Sequence, residues 1–178
     1  MGTRRRIDAV KRGDRARNFA EAAERHLDDV HAYLVYLTGD RGTAEELTAE
    51  TFARALERWH RFDPRRGGPR TWLCQLARST ALDHFRAEGR RRRREGRYAL
   101  AEARQGEPVF GEGMSPALEQ ALARLSAAER EVVALRVVLE LDGEGAARVL
   151  GISPTACSTR LSRALQKLEK EVSAGVAA

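Results

Sequence analysis

Between Phe19 and Leu37 the apolar positions fall at Phe19, Ala23, Leu27, Val30, Leu34 and Leu37, the three-to-four-residue rhythm of an amphipathic helix. Gly39 predicts its end, because glycine takes the left-handed backbone that closes a helix. A second helix is expected to open at Thr43-Ala-Glu-Glu46, where Glu46 can reach back to the Thr43 amide as a capping box. Leu47, Phe52, Ala55, Leu56 and Trp59 share one face of it. The segment Arg61-Phe-Asp-Pro-Arg-Arg-Gly-Gly-Pro69 breaks the rhythm and predicts a loop. A third helix is expected over about 70–86, anchored by Trp72, Leu73, Leu76, Ala77 and Phe85.

Periodicity fades after Ala87. The arginines 90–94 read as a helical extension, and residues 98–114 read as a flexible linker. The pattern resumes at Ser115-Pro116, an N-cap followed by proline at the first helical position. Ser126-Ala-Ala-Glu129 is a further capping box, with Val132, Val133, Leu135 and Leu139 facing inward from the helix it opens. Asp142–Leu150 then predicts a short helix, Gly151-Ile152-Ser153 a tight turn, and Pro154 the start of a longer helix with Cys157, Leu161, Leu165 and Leu168 on one stripe. Helix, three-residue turn with glycine, helix is the helix-turn-helix arrangement. Ala147 is small where the two helices must approach, Ile152 plugs the turn, and Ser153 can cap the second helix. The expected fold class is all-α: two small helical domains joined by a flexible linker.

Composition agrees with helix: Ala, Leu, Arg and Glu dominate the 178 residues, and no Val/Ile/Thr-rich alternating series occurs. No apolar run reaches the length of a membrane span. The basic residues 1–17 have no apolar stretch behind them, which argues against a secretory signal and for a cytoplasmic protein. Two cysteines far apart, Cys74 and Cys157, are expected to be buried and reduced. Four histidines without ligand spacing, His26, His31, His60 and His84, predict neither a metal site nor a cofactor. Gly143-Glu-Gly145 resembles a nucleotide-binding loop only superficially, since no strand precedes it and a third glycine is missing. No catalytic motif stands out, so the chain reads as a non-enzyme.

Charge changes the picture more. Residues 1–17 carry seven basic and two acidic side chains, residues 18–57 three basic and nine acidic, and residues 86–97 seven basic and two acidic. The acidic block suits a basic protein partner and the arginine run suits nucleic acid. Leu47, Phe52 and Leu56 either anchor such a partner or close the domain's own core. Phe62, Trp72, His84 and Phe85 lie near enough to the arginines to support unstacked bases, although Trp72 and Phe85 suit a core better. In the last helix, Thr155, Ser158, Thr159, Ser162 and Arg163, with Arg160 on the flank, offer hydroxyls and guanidinium to a major groove.

Several strings carry a family resemblance. Ala44-Glu-Glu-Leu-Thr-Ala-Glu-Thr-Phe-Ala-Arg-Ala55, Arg61-Phe-Asp, Thr71-Trp-Leu, Leu76-Ala-Arg and Ala81-Leu-Asp-His-Phe-Arg86 resemble region 2 of extracytoplasmic-function sigma factors. Leu122-Ala-Arg-Leu-Ser, Glu129-Arg-Glu-Val-Val, Leu150-Gly-Ile-Ser-Pro and Ser158-Thr-Arg-Leu-Ser-Arg-Ala164 resemble region 4 of the same sigma-70 group. The resemblance implies a basic extension over 1–17, a region 2-like bundle over 18–97, a linker over 98–114 and a region 4-like helix-turn-helix domain over 115–172. It implies a core RNA polymerase contact (the β′ coiled coil) through Glu45, Glu46, Leu47, Glu50, Phe52 and Leu56. It implies a −10 promoter site of Phe62, Arg65, Arg66, Trp72, Arg78, Ser79, Asp83, Arg86, Arg90 and Arg91. Thr155, Ser158, Thr159, Arg160 and Arg163 would meet the −35 element, with the β-flap and an anti-sigma factor as further partners.

The chain departs from the family pattern at Ser79, where asparagine is usual, at Gly145-Ala146-Ala147 in place of Glu-Ile-Ala, and at Ser158, where lysine is usual. Two other readings remain open on sequence grounds: a stand-alone helix-turn-helix regulator, and a polymerase-binding adaptor with weakened DNA recognition.

Overall fold

The computed structural model describes the backbone of residues 2–94, 110 and 113–176, with side chains for 17–94 (except 92), 110 and 113–173. Among the described residues there are seven α-helices: α1 (Gly2–Thr38), α2 (Arg41–Arg58), α3 (Pro69–Arg94), α4 (Pro116–Arg124), α5 (Ala127–Val133), α6 (Gly143–Leu150) and α7 (Pro154–Val176). No strand occurs among the described residues. Most of the predicted linker lies outside them.

Helices α1, α2 and α3 pack on one another as the N-terminal module, and α4 to α7 form the C-terminal module. Val30, Tyr33, Leu34, Leu47, Leu73 and Ala77 fill the first, each 2% exposed or less. Val132, Leu135, Leu139, Ala146, Cys157 and Ala164 fill the second, each 1% exposed or less. The buried apolar side chains of the two modules form one continuous cluster.

Helix α1 runs from Gly2 to Thr38, so the basic N-terminal extension continues into the 37-residue helix that reaches the core. Gly39, at φ 64°, ends it, and its amide donates to the Val35 carbonyl at 2.7 Å. The α2 cap lies earlier than expected. Asp40, with extended backbone, accepts from the Thr43 amide at 2.7 Å. An aspartate after a helix-ending glycine outcompetes the threonine, because a carboxylate is the stronger acceptor and also favours the helix N-terminus electrostatically. In the C-terminal module the caps stand where sequence placed them. Ser115 accepts from the Leu118 amide, Ser126 and Glu129 complete a capping box, and Ser153 accepts from the Ala156 amide.

The α5 helix widens into a π turn over Ala134–Val138. The Arg130 guanidinium is held against the carbonyls of Ala123 and Leu125, fixing the α4–α5 corner. Gly151 has φ 68°, the left-handed value the turn between α6 and α7 requires. On α7 the buried stripe is Cys157, Ala164 and Leu168, with Leu161 half-buried, while Leu165 is 43% exposed. Ala164 replaces Leu165 because the helical period from Leu161 to Leu168 falls at the third residue and not the fourth.

Candidate nucleic-acid interface

Trp59 and Phe62 lie one short turn apart and stack, with centroids 4.7 Å apart and planes 9° from parallel. Trp72, from the first turns of α3, meets both rings edge-on at 5.6 and 5.7 Å. Phe19 of α1 backs Trp59 edge-on at 5.5 Å. The loop that carries Phe62 is fixed by Asp63, which accepts from the Arg65 amide at 3.0 Å and starts the turn Pro64–Arg66. The result is a cleft of about 480 Å³, with aromatic wall Phe62 and Trp72 and arginine rim Arg61 and Arg66. An aromatic face beside guanidinium groups can stack an unpaired base and hold its phosphate.

The sequence-predicted −10 residues divide on this surface. Phe62 and Trp72 are half-buried in the cleft, and Arg65, Arg66, Ser79, Arg86 and Arg90 are exposed. Arg91 pairs with Glu88 at 3.4 Å. Asp83 is engaged by Arg54 at 3.2 Å and Arg86 at 3.4 Å, so its carboxylate is already paired with guanidinium groups. Arg78, expected among the −10 residues, is half-buried. Its Nε donates to Glu131 of α5 at 2.7 Å, because a carboxylate only 5% exposed requires a charged partner. Phe85 is a surface residue at 37% exposure, edge-on to His84, and not a core anchor.

On α2, Glu45, Glu46 and Glu50 are exposed, and Glu50 pairs with Arg54 at 2.5 Å. Leu56 is 57% exposed, an apolar side chain without a covering neighbour face. Phe52 is half-buried against the core. Leu47 is 2% exposed and belongs to the module's own core, correcting its expected place on a docking face.

Helix α7 presents Thr155, Ser158, Thr159 and Arg163 exposed and Arg160 half-exposed. A groove of about 590 Å³ runs between this face and Ser126 and Glu129 at the start of α5. Lys167 donates to Glu129 at 2.6 Å and, with the Ser126 amide and hydroxyl, holds that carboxyl down to about 2. Both thiols are free and buried. Burial pushes Cys74 up to about 12, and burial likewise raises Cys157.

Sequence reasoning missed Trp59 as the ring packed behind the cleft wall, and missed Tyr33, Gln75, Glu131 and Arg148 as joining residues. The spacing of Trp59 to Phe62, one helical turn, was the available signal for the stack. Nothing in sequence pairs positions from different modules.

A helical module with an arginine-rimmed aromatic cleft, coupled to a helix-turn-helix module, defines a bipartite nucleic-acid-binding protein. Residues 22–91 match the Sigma-70 region 2 family and residues 115–168 match Sigma-70, region 4. The chain is 34% identical over 142 residues to the ECF RNA polymerase sigma factor SigC of Mycobacterium tuberculosis, covering 79% of this chain and 75% of SigC. It is 32% identical over 157 residues to the ECF RNA polymerase sigma factor BldN of Streptomyces coelicolor, covering 85% of this chain and 59% of BldN. The fold is similar to the sigma factor RpoE solved with the anti-sigma factor NepR from Bartonella quintana, at TM-score 0.75 and 22% identity, over 88% of this chain and 97% of that one. The chain belongs to the extracytoplasmic-function RNA polymerase sigma factors.

Among the described residues no helix is long and apolar enough to cross a membrane, and no cluster of side chains has the makings of a metal site.

Proposed function

We propose that this chain directs promoter-specific transcription initiation in the cytoplasm, by binding core RNA polymerase and two separated promoter elements. The observation that carries this reading is the pair of DNA-suited surfaces on one chain. One is the cleft of Phe62 and Trp72, backed by Trp59 and rimmed by Arg61 and Arg66. The other is the hydroxyl-and-arginine face of α7. The cleft takes an unstacked base of the −10 element, with Arg65, Ser79, Arg86, Arg90 and Arg91 along the flanking strand. Thr155, Ser158, Thr159, Arg160 and Arg163 enter the major groove of the −35 element, as a recognition helix does.

The β′ coiled coil of polymerase docks on Glu45, Glu46, Glu50, Phe52 and Leu56, where an exposed apolar side chain sits among carboxylates. Opposite charge steers the encounter and the apolar centre holds it. The working boundaries are 18–97 for the −10 and core-binding unit, 98–114 for the linker and 115–172 for the −35 unit, with the β-flap as a second polymerase contact. An anti-sigma factor is the expected negative partner.

Run-off transcription with purified core polymerase tests the reading. A promoter-dependent transcript that requires this chain is expected. Binding of duplex DNA without any polymerase-dependent transcript would overturn it.

A further inference from the structure

Helix α1, with 37 residues, is about twice as long as the 18-residue α2 it packs against. Its C-terminal half is the packed half, where Val30, Tyr33 and Leu34 are fully buried. Phe19 closes that packed face by meeting Trp59, the residue that follows α2, edge-on at 5.5 Å. The length of α2 is therefore used up at Phe19. Trp59 in turn stacks on Phe62 of the cleft wall at 4.7 Å. From Phe19 the helix continues back to Gly2, about 25 Å further at 1.5 Å per residue.

The charge along α1 changes sign at the same point. Residues 1–17 carry seven basic and two acidic residues, whereas Glu21, Glu24, Asp28 and Asp29 follow Phe19. At about 100° per residue, helix positions 4, 5, 8, 11, 12 and 15 fall within roughly one third of the circumference. Phe19, Val30 and Tyr33 occupy that same sector further along the helix. Its six earlier positions hold Arg4, Arg5, Asp8, Lys11, Arg12 and Arg15, and no apolar residue. The stripe that is apolar where α2 and α3 cover it thus becomes cationic where α2 has ended. An apolar continuation would call for another packed helix, while a cationic one calls for an anionic partner.

We infer that residues 4–15 of α1 are a third DNA contact, a cationic arm that takes backbone phosphates of the promoter next to the aromatic cleft. This deepens the reading of the cleft as a single-strand site and rests on it. Position selects DNA: the stripe begins behind the ring that backs the cleft wall, and the cleft rim already carries Arg61 and Arg66. Length agrees, since about 25 Å spans roughly seven steps of one strand at 3.4 Å per step. Composition agrees as well, because a protein partner would need an apolar anchor among the charges and the stripe has none. Phosphate contacts fix position and add affinity without reading sequence. The arm therefore strengthens binding and leaves the choice of promoter to the cleft and to α7.

The test uses the full chain, alone and with core polymerase, on a forked duplex whose single-stranded tail carries the −10 element. In the variant R4Q/R5Q/K11Q/R12Q/R15Q, glutamine keeps a helix propensity close to that of arginine and lysine. The slope of log K against log salt is expected to fall by at least about 1.8, two phosphates at about 0.9 each. Preference among −10 sequences and co-purification with core polymerase should stay as in the wild type. The variant R4K/R5K/R12K/R15K should keep the wild-type slope, because a phosphate needs only the charge. The half variants R4Q/R5Q and K11Q/R12Q/R15Q should each give part of the effect, and they decide the matter if the full variant loses helix content by circular dichroism. An unchanged slope overturns the arm, and so does a lysine variant as weak as the glutamine one. Loss of core polymerase in step with loss of DNA also overturns it, by assigning the stripe to an acidic protein face. Run-off transcription keeps the two readings apart: a wild-type chain that never supports a transcript overturns the proposed function, while the salt slope of the chain alone still decides the arm.

Discussion

Arg78 and Glu131 stand 53 positions apart, in different modules, and meet at 2.7 Å through the Nε of one and the carboxylate of the other. Tyr33 completes the arrangement from α1 with a hydroxyl that is wholly buried. Burial first, and the Glu131 charge second, push the Tyr33 phenol well above its ordinary value, so it remains a hydrogen-bond donor throughout the neutral range. A buried carboxylate with two donors is costly to strand, which makes this junction an all-or-none arrangement.

The stacked pair Trp59 and Phe62 sets the first prediction. Phe62→Ala removes one wall of the cleft and leaves the half-buried Trp72 in place. Removing one aromatic ring from under a base costs about 1–3 kcal/mol. Fluorescence anisotropy with a single-stranded −10 oligonucleotide should register a fall of roughly tenfold, with α-helix content unchanged.

On α2, two leucines nine positions apart should behave in opposite ways. Leu56 is 57% exposed, so Leu56→Asp should leave stability within about 0.5 kcal/mol of wild type and abolish co-purification with core polymerase. Leu47 is 2% exposed, so Leu47→Asp should cost more than about 3 kcal/mol, because it buries a carboxylate without a partner. Urea unfolding separates the two. A Leu56→Asp protein that keeps full polymerase binding would count against the docking face.

The arginine end of α3 predicts a salt effect. Replacing Arg90, Arg91, Arg93 and Arg94 by alanine should weaken promoter complexes and lower the slope of log K against log salt by about 0.9 for each phosphate that the variant no longer neutralises. Core polymerase binding should be spared. A slope unchanged across a salt titration would show that these side chains do not touch the DNA backbone.

Glu129 predicts an acid dependence. Its carboxyl is held down to about 2, by Lys167 first and then by the Ser126 amide and hydroxyl, against an ordinary value of 4.5. A carboxyl depressed in the folded state contributes stability that is present above 4.5 and is lost as pH falls through about 2. Urea unfolding of wild type and Glu129→Gln should therefore differ most near neutrality and converge over that acid window. A difference independent of pH would assign the effect to packing instead of charge.

The elements of the fold were legible in sequence because each is set by local physics. The Ser126–Glu129 capping box, the Ser115-Pro116 start and the Gly151 turn all use residues within a few positions of one another. Errors arose where local rules compete. Asp40 displaced Thr43 as the α2 cap, and Ala164 displaced Leu165 in the α7 stripe, since apolar character cannot by itself distinguish neighbouring positions on a helix edge. The π turn at Ala134–Val138 shifts its face without any sequence sign such as glycine or proline. The exposed DNA-suited faces were readable from charge and hydroxyl content. Arg78 was not, because its partner comes from another module and pairing across modules leaves no periodic trace.

The sealed thiols carry a consequence for signalling. Burial disfavours the Cys74 thiolate at neutral pH, and peroxides attack the thiolate form. Cys157, on the buried face of the recognition helix, is raised in the same direction. The fold thus keeps both cysteine thiols in the protonated, less reactive form, so direct oxidation at cysteine should be slow.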